Sequence, residues 1–163
     1  MKILCNLLII SLLSLNSLAQ NLPNVELKDL KGSEILTKNL LEKGKPTIIS
    51  FWATWCKPCL QEINAINENL LEWQQKTGVR FIAISTDDSR SINRVPILVH
   101  GKKWKFEVFL DENGDFQRAM NVLSIPHTFI FDKNGKQIYQ HNTFAEGDED
   151  EYFEVLKKAK NSQ

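Results

Sequence analysis

Two cysteines three residues apart, Cys56 and Cys59, enclose a lysine and a proline, and Glu62 follows the second cysteine by three more residues. A thiol pair at this spacing supports two chemistries. It can cycle between dithiol and disulfide, one sulfur attacking a substrate disulfide and the other releasing the product. It can also supply half the ligands of a metal site. The neighbouring sequence distinguishes them. Residues 46–52 form a short apolar run rich in β-branched and aromatic side chains, the pattern of a buried strand. Leu60, Ile63, Ile66, Leu70 and Trp73 then recur at helical spacing. Cys56 therefore falls where a helix begins, and there unpaired N–H groups and the positive end of the helix dipole favour a thiolate. Cys59 lies one turn inside and is expected to be shielded. Cys56 is thus the candidate nucleophile and Cys59 the resolving thiol. Lys57 adds a positive charge beside Cys56, and Pro58 suits a first helical turn, where its missing N–H costs nothing.

The metal reading fails on ligand count. A zinc site needs four ligands, or three and a water, and only His100, His127 and His141 could join the cysteines. No metal and no cofactor are expected. Glu62 shares the side of the helix that carries the Cys59 sulfur. A carboxyl partly buried there would hold its proton more tightly than a solvated one and could take the proton of Cys59. The plainer alternative is a solvated helix glutamate.

The chain has 163 residues, enough for one domain, and its 20 basic and 20 acidic side chains cancel, so charge gives no sign of nucleic-acid binding. The N-terminus differs from the rest. Lys2 precedes a mostly apolar stretch over residues 3–15, and Ser17, Leu18 and Ala19 place small residues where a signal peptidase reads. Residues 1–19 are therefore expected to be a signal peptide and residues 20–163 the mature domain. The segment is short for a membrane span; an uncleaved anchor that tethers the protein is the alternative. Either way the domain is placed outside the cytoplasm, in the periplasm. Cleavage removes Cys5, leaving one close pair that closes too small a loop to act as a staple.

The remaining elements read as follows. Residues 25–30 and 35–40 flank Lys31-Gly32-Ser33 and suggest a hairpin. The cysteine-bearing helix runs over residues 58–75 and stops at Gly78. Residues 79–85 form a second, nearly continuous apolar strand, as in a parallel sheet buried on both faces. Residues 86–89 offer caps for a helix over residues 89–101, which Pro96 should bend. In Lys102-Lys103-Trp104-Lys105 a solvated helix end beside one packed ring is favoured over an anion site. A strand at 106–110, a turn at 111–114 and a short helix at 116–121 follow. Residues 128–131 and 136–141 flank the hairpin signal Asn134-Gly135. A last helix at 148–160, acidic at its start and basic at its end, complements its own dipole. Phe153, Val155 and Leu156 should pack it on the sheet.

The run Phe51-Trp52-Ala53-Thr54-Trp55-Cys56-Lys57-Pro58-Cys59, with Glu62 beyond it, resembles the thioredoxin superfamily and, within it, the TlpA/ResA branch of extracytoplasmic thiol–disulfide oxidoreductases. The resemblance covers essentially the whole mature chain. It implies an α/β, thioredoxin-like fold with an N-terminal hairpin extension and a central helix–strand insertion. It implies that Ile125-Pro126 is the superfamily's cis-proline, which brings Ile125 beside Cys56, where an extended substrate can pair. Trp55, Lys57, Pro58, Ile125 and Pro126 are then the expected substrate-binding residues. It also gives Glu62 the role of proton carrier. Two departures stand out. Ser50 occupies the position of thioredoxin's buried aspartate and cannot act as a base. His127, where the branch often has threonine, is either a titrating group facing substrate or polar filler. The expected partners are disulfide-containing proteins and an upstream thiol donor, for which a membrane-embedded protein is one candidate; the protein is expected to be a monomer. Reduction of protein disulfides, in cytochrome c maturation or redox homeostasis, is the leading activity. A peroxiredoxin-like peroxidase would need Pro and Thr where Ile49 and Ala53 stand, and a copper metallochaperone would bind Cu(I) through the thiol pair.

Overall fold

A computed structural model describes residues 22–161. The expected signal peptide, with Cys5, lies outside the described residues. Seven strands form one sheet in the order β2-β1-β5-β4-β3-β6-β7. Its centre is β3 (Thr47–Trp52), every residue of which is buried. β4 (Arg80–Ser85) and β5 (Glu107–Leu110) run parallel to it on one side. β6 (His127–Phe131) and β7 (Gln137–Asn142) continue antiparallel on the other. The hairpin of β1 (Glu26–Asp29) and β2 (Glu34–Leu36) adds to the free side of β5, so the insertion strand joins the N-terminal extension to the central sheet.

Helix α1 (Lys57–Thr77) crosses from β3 to β4, and α4 (Asp148–Asn161) packs beside it on the same face. Ile48 and Trp52 on that face meet Ile63, Ile66, Leu70 and Trp73 of α1, Tyr152 and Leu156 of α4, and Val95 and Val99 of α2 (Arg94–Lys102). The other face of β3 carries Ile49 and Phe51, which pack with Leu27, Phe129 and Phe116, the last from α3 (Asp115–Ala119). Alternation along a strand sends successive residues to these two cores. Each large side chain so buried is worth about 1.5–3 kcal/mol relative to exposure.

Three expectations are corrected. α1 extends to Thr77, whose hydroxyl donates to Trp73 O at 2.7 Å, and Gly78 closes the helix at φ 75°. α2 starts at Arg94 rather than residue 89. Pro96 is its third residue, where the backbone N–H has no partner within a helix, so it neither bends nor restarts the helix. Residues 89–93 are turns, with Asp88 O accepting from the N–H groups of Ser91 and Ile92. On α4, Leu156 is buried and Phe153 and Val155 pack partly buried against the core as expected, Phe153 stacking on Trp73 with 5.6 Å between ring centroids, but the expectation omitted the fully buried Tyr152. Trp104 is buried edge-on against Trp52, the packed-ring reading of the basic stretch.

Candidate active site

The chain leaves β3 at Trp52 and must reverse into α1 within four residues. Cys56 N–H donates to Ala53 O at 3.1 Å to close that turn. Asp87 holds the turn from the end of β4: its carboxylate accepts from Thr54 N–H at 2.8 Å, from Thr54 Oγ1 at 2.6 Å and from Ser85 Oγ at 2.9 Å. The carboxylate is fully buried, and three donors offset the cost of burying it. Sequence reasoning took residues 86–89 for helix caps and missed this role.

Cys56 is the N-cap of α1, in extended conformation at φ −87° and ψ 98°, and its sulfur accepts from Cys59 N–H at 3.3 Å. An N-cap acceptor is the position at which helix N–H groups and dipole act together on negative charge. Cys56 and Cys59 are joined by a disulfide. Cys56 is 5% exposed and Cys59 0%. Cys56 is thus more enclosed than the sequence suggested, but it alone of the two keeps an edge open to an incoming sulfur. Trp55, 66% exposed, stands outward beside it, with Lys57 and Pro58 also on the surface. Ile125 O lies 3.8 Å from the Cys56 sulfur, and the Ile125–Pro126 peptide is cis. The cis-proline segment and the cysteine turn therefore meet, as the resemblance implied.

Glu62 departs most from expectation. It is not partly buried but 0% exposed, on the side of α1 shared with Cys59. Its Oε2 accepts from Ser50 Oγ at 2.7 Å. Its Oε1 accepts from Thr128 Oγ1 at 2.8 Å and from the Tyr152 hydroxyl at 2.7 Å. Burial pushes the carboxyl above its ordinary range, and the three hydroxyls, together with the charge of His141, pull against that shift. Ser50, which cannot be a base, thus holds the Glu62 carboxyl in place. Thr128 and Tyr152 were invisible as partners, because they arrive from 66 and 90 residues away.

His127 points to the opposite face. It follows Pro126 and pairs with Phe51, while its neighbour Thr128 pairs with Ser50 on the Glu62 side. Its ring stacks on Phe129 at 4.5 Å, and burial lowers its proton affinity. It lines a cavity of about 580 Å³ with Met120, Asn121 and Phe131. A second cavity of about 580 Å³ lies by Leu41 and Gly135, and neither is lined by the cysteines. Among the described residues no group of three or more His, Cys, Asp or Glu side chains is placed to hold a metal, and no helix is long and apolar enough to cross a membrane.

What the site can do chemically is accept and return two electrons: a disulfide with one accessible sulfur, a dipole that favours its thiolate, and a buried carboxyl on the side of α1 that carries the second cysteine. The AhpC/TSA family model matches residues 18–140. The thiol-disulfide oxidoreductase ResA of Bacillus thuringiensis subsp. konkukian is 35% identical over 136 residues, 83% of this chain and 75% of that protein. The thioredoxin-like protein YneN of Bacillus subtilis is 33% identical over 117 residues, 71% of this chain and 66% of that protein. An uncharacterized thioredoxin-like protein from Porphyromonas gingivalis superposes with a TM-score of 0.79 at 47% identity, covering 87% of this chain and 93% of that one. A putative thiol:disulfide interchange protein DsbE from Chlorobium tepidum shares the fold, with a TM-score of 0.73 at 24% identity over 85% of this chain and 94% of that one. The chain belongs to the AhpC/TSA family and, within its thioredoxin-like members, to the thiol–disulfide oxidoreductases of the ResA type.

Proposed function

We propose that the protein is an extracytoplasmic reductase of protein disulfides. The Cys56 thiolate attacks a substrate disulfide, forming a mixed disulfide and releasing one substrate sulfur as a thiolate. Cys59 then gives its proton to Glu62 and attacks the Cys56 sulfur. The Cys56–substrate bond breaks, the second substrate sulfur leaves as a thiolate, and solvent protonates both. The protein is left with the Cys56–Cys59 disulfide, and an upstream thiol donor, membrane-embedded or soluble, returns two electrons. The observation that carries this reading is the asymmetry of the pair: Cys56 caps the helix and keeps one edge open, 5% exposed, while Cys59 is sealed on the side that carries the buried Glu62.

Trp55, Lys57, Pro58, Ile125 and Pro126 form the substrate surface, over which an extended chain pairs with the cis-proline segment. Residues 1–19 direct export to the periplasm, by cleavage after Ala19 or as a tether. Keeping apocytochrome c thiols reduced for haem attachment is one task that suits such a reductase, and general redox homeostasis is another. The protein acts as a monomer. The test is Cys59→Ser expressed in cells. Trapped mixed disulfides on Cys56 are the expected result, and they identify the substrates. No trapped partner, with Cys56 free and reactive, contradicts the proposal.

A further inference from the structure

Glu62 is sealed from solvent, yet the proposed cycle requires it to gain and lose a proton at each turnover. Its surroundings therefore matter as much as the carboxyl. It shares the buried side of α1 with Cys59. From β3, Ser50 donates to Oε2 at 2.7 Å, and from β6, Thr128 donates to Oε1 at 2.8 Å. The fourth wall comes from β7 and α4. Tyr152 donates to Oε1 at 2.7 Å. His141 stands opposite Thr128 in the strand pairing, hence on the Glu62 side of the sheet. Its Nε2 lies 3.3 Å from Asp148 Oδ2 at the start of α4. Tyr139, 5.8 Å from Tyr152 between ring centroids, donates outward to Glu151 at 2.8 Å.

These donors differ in where they come from. The Ser50 and Thr128 hydroxyls belong to the sheet, and Tyr152 comes from α4. Tyr152 is buried against a carboxylate, and both influences hold its proton on the oxygen. Donating to Oε1 from α4, outside the sheet, it favours the ionised form of the carboxyl. A protonated His141 would act in the same direction.

We propose that Tyr152, backed by the His141–Asp148 pair, is a positioning residue for the resolving half of disulfide exchange, holding the Glu62 carboxylate ready to take the Cys59 proton. Tyr152 forms and breaks no covalent bond. The proton passes from Cys59 sulfur to Glu62, the freed electron pair forms the Cys56–Cys59 bond, and the substrate sulfur departs as a thiolate. The inference rests on the reading of Glu62 as the base for Cys59, and the experiment separates the two.

Reduced protein is mixed with 5,5′-dithiobis(2-nitrobenzoate) in a stopped-flow instrument from pH 6 to 10. The first thionitrobenzoate released reports attack by Cys56, the second reports resolution by Cys59. Tyr152→Phe keeps the ring and removes the donor. The pH at which the second release reaches half its plateau should rise by about one unit, a tenfold loss on the acid limb, with the first release unmoved. His141→Gln should shift it the same way by less. A Tyr152→Phe profile superimposed on the native one overturns the proposal. So does an equal fall in both releases, which marks structural damage. An unshifted His141→Gln profile, at a partly exposed position that tolerates substitution, overturns the backing role. Glu62→Gln is the control. If it resolves with the native pH profile, the base reading itself falls and the inference with it. If Glu62→Gln is slow while Tyr152→Phe is native, the inference alone falls.

Discussion

Replacing Glu62 with glutamine should make the protein a worse reductase and, at alkaline pH, a comparatively better folded one. The carboxyl is fully buried, and burial raises its proton affinity above the ordinary value of 4.5, against three hydroxyl donors that oppose the shift. A carboxyl whose folded-state pKa exceeds its unfolded one binds its proton more tightly when folded. Its stabilising contribution is complete below the unfolded pKa and is lost as pH rises through the folded one. Within that window the folded state holds one proton more, so stability falls by about 1.4 kcal/mol per pH unit. Glutamine cannot ionise and removes the slope. It brings a pH-independent cost of its own, about 1–3 kcal/mol, because its amide must find acceptors among hydroxyls that now donate. The assay is urea denaturation of the oxidised native protein and of Glu62→Gln from pH 4 to 9. The variant should be the less stable at pH 4, and the gap should narrow or reverse above the ordinary carboxylate range. A gap that stays constant, or widens with pH, would refute the reasoning, since it would mean that Glu62 ionises in the fold as easily as in the unfolded chain.

Other consequences follow from residues outside the cysteine pair. Asp87→Ala orphans three donors around the cysteine turn, one of them the Thr54 N–H. It should cost about 3 kcal/mol in denaturation and slow disulfide exchange, because the turn that presents Cys56 loses its tie to β4. A loss below about 0.5 kcal/mol would show that the tie is dispensable. Gly78→Ala meets no atom within 4 Å, so its cost comes from backbone conformation alone: at φ 75° an alanine should lower stability by about 1 kcal/mol without touching activity. Matched thermal melts and activity assays check both halves of that statement.

The parts of this molecule that sequence revealed are those set by local spacing. The cysteine pair, its place at a helix start, the strand before it, the hairpins and the dipole-matched last helix all depend on residues within a few positions of one another. The cage around Glu62 does not. Its donors lie on β3, β6 and α4, and nothing in the spacing of Ser50, Thr128 and Tyr152 announces that three separate elements converge on one carboxyl. On α4, apolarity finds Phe153, Val155 and Leu156, which do pack against the core, and overlooks Tyr152, which is buried more deeply than Phe153. A signal was available: a buried carboxyl needs donors, and Tyr152 is one turn before the buried Leu156. Asp87 was misread for a similar reason. A Thr-Asp-Asp-Ser run looks like a cap, but the first aspartate turns back to the cysteine turn 33 residues earlier. Pro96 misled through its reputation as a breaker, when its position in the first turn made it harmless.

The most direct test of the central claim is the reduction potential of the Cys56–Cys59 pair, measured by equilibration with glutathione and with a thiol of known potential. An electron donor to protein disulfides should lie below about −230 mV, in the direction of thioredoxin at about −270 mV. A value near the about −120 mV of the strong oxidant DsbA would contradict the reductase reading and reverse the direction of electron flow through this site.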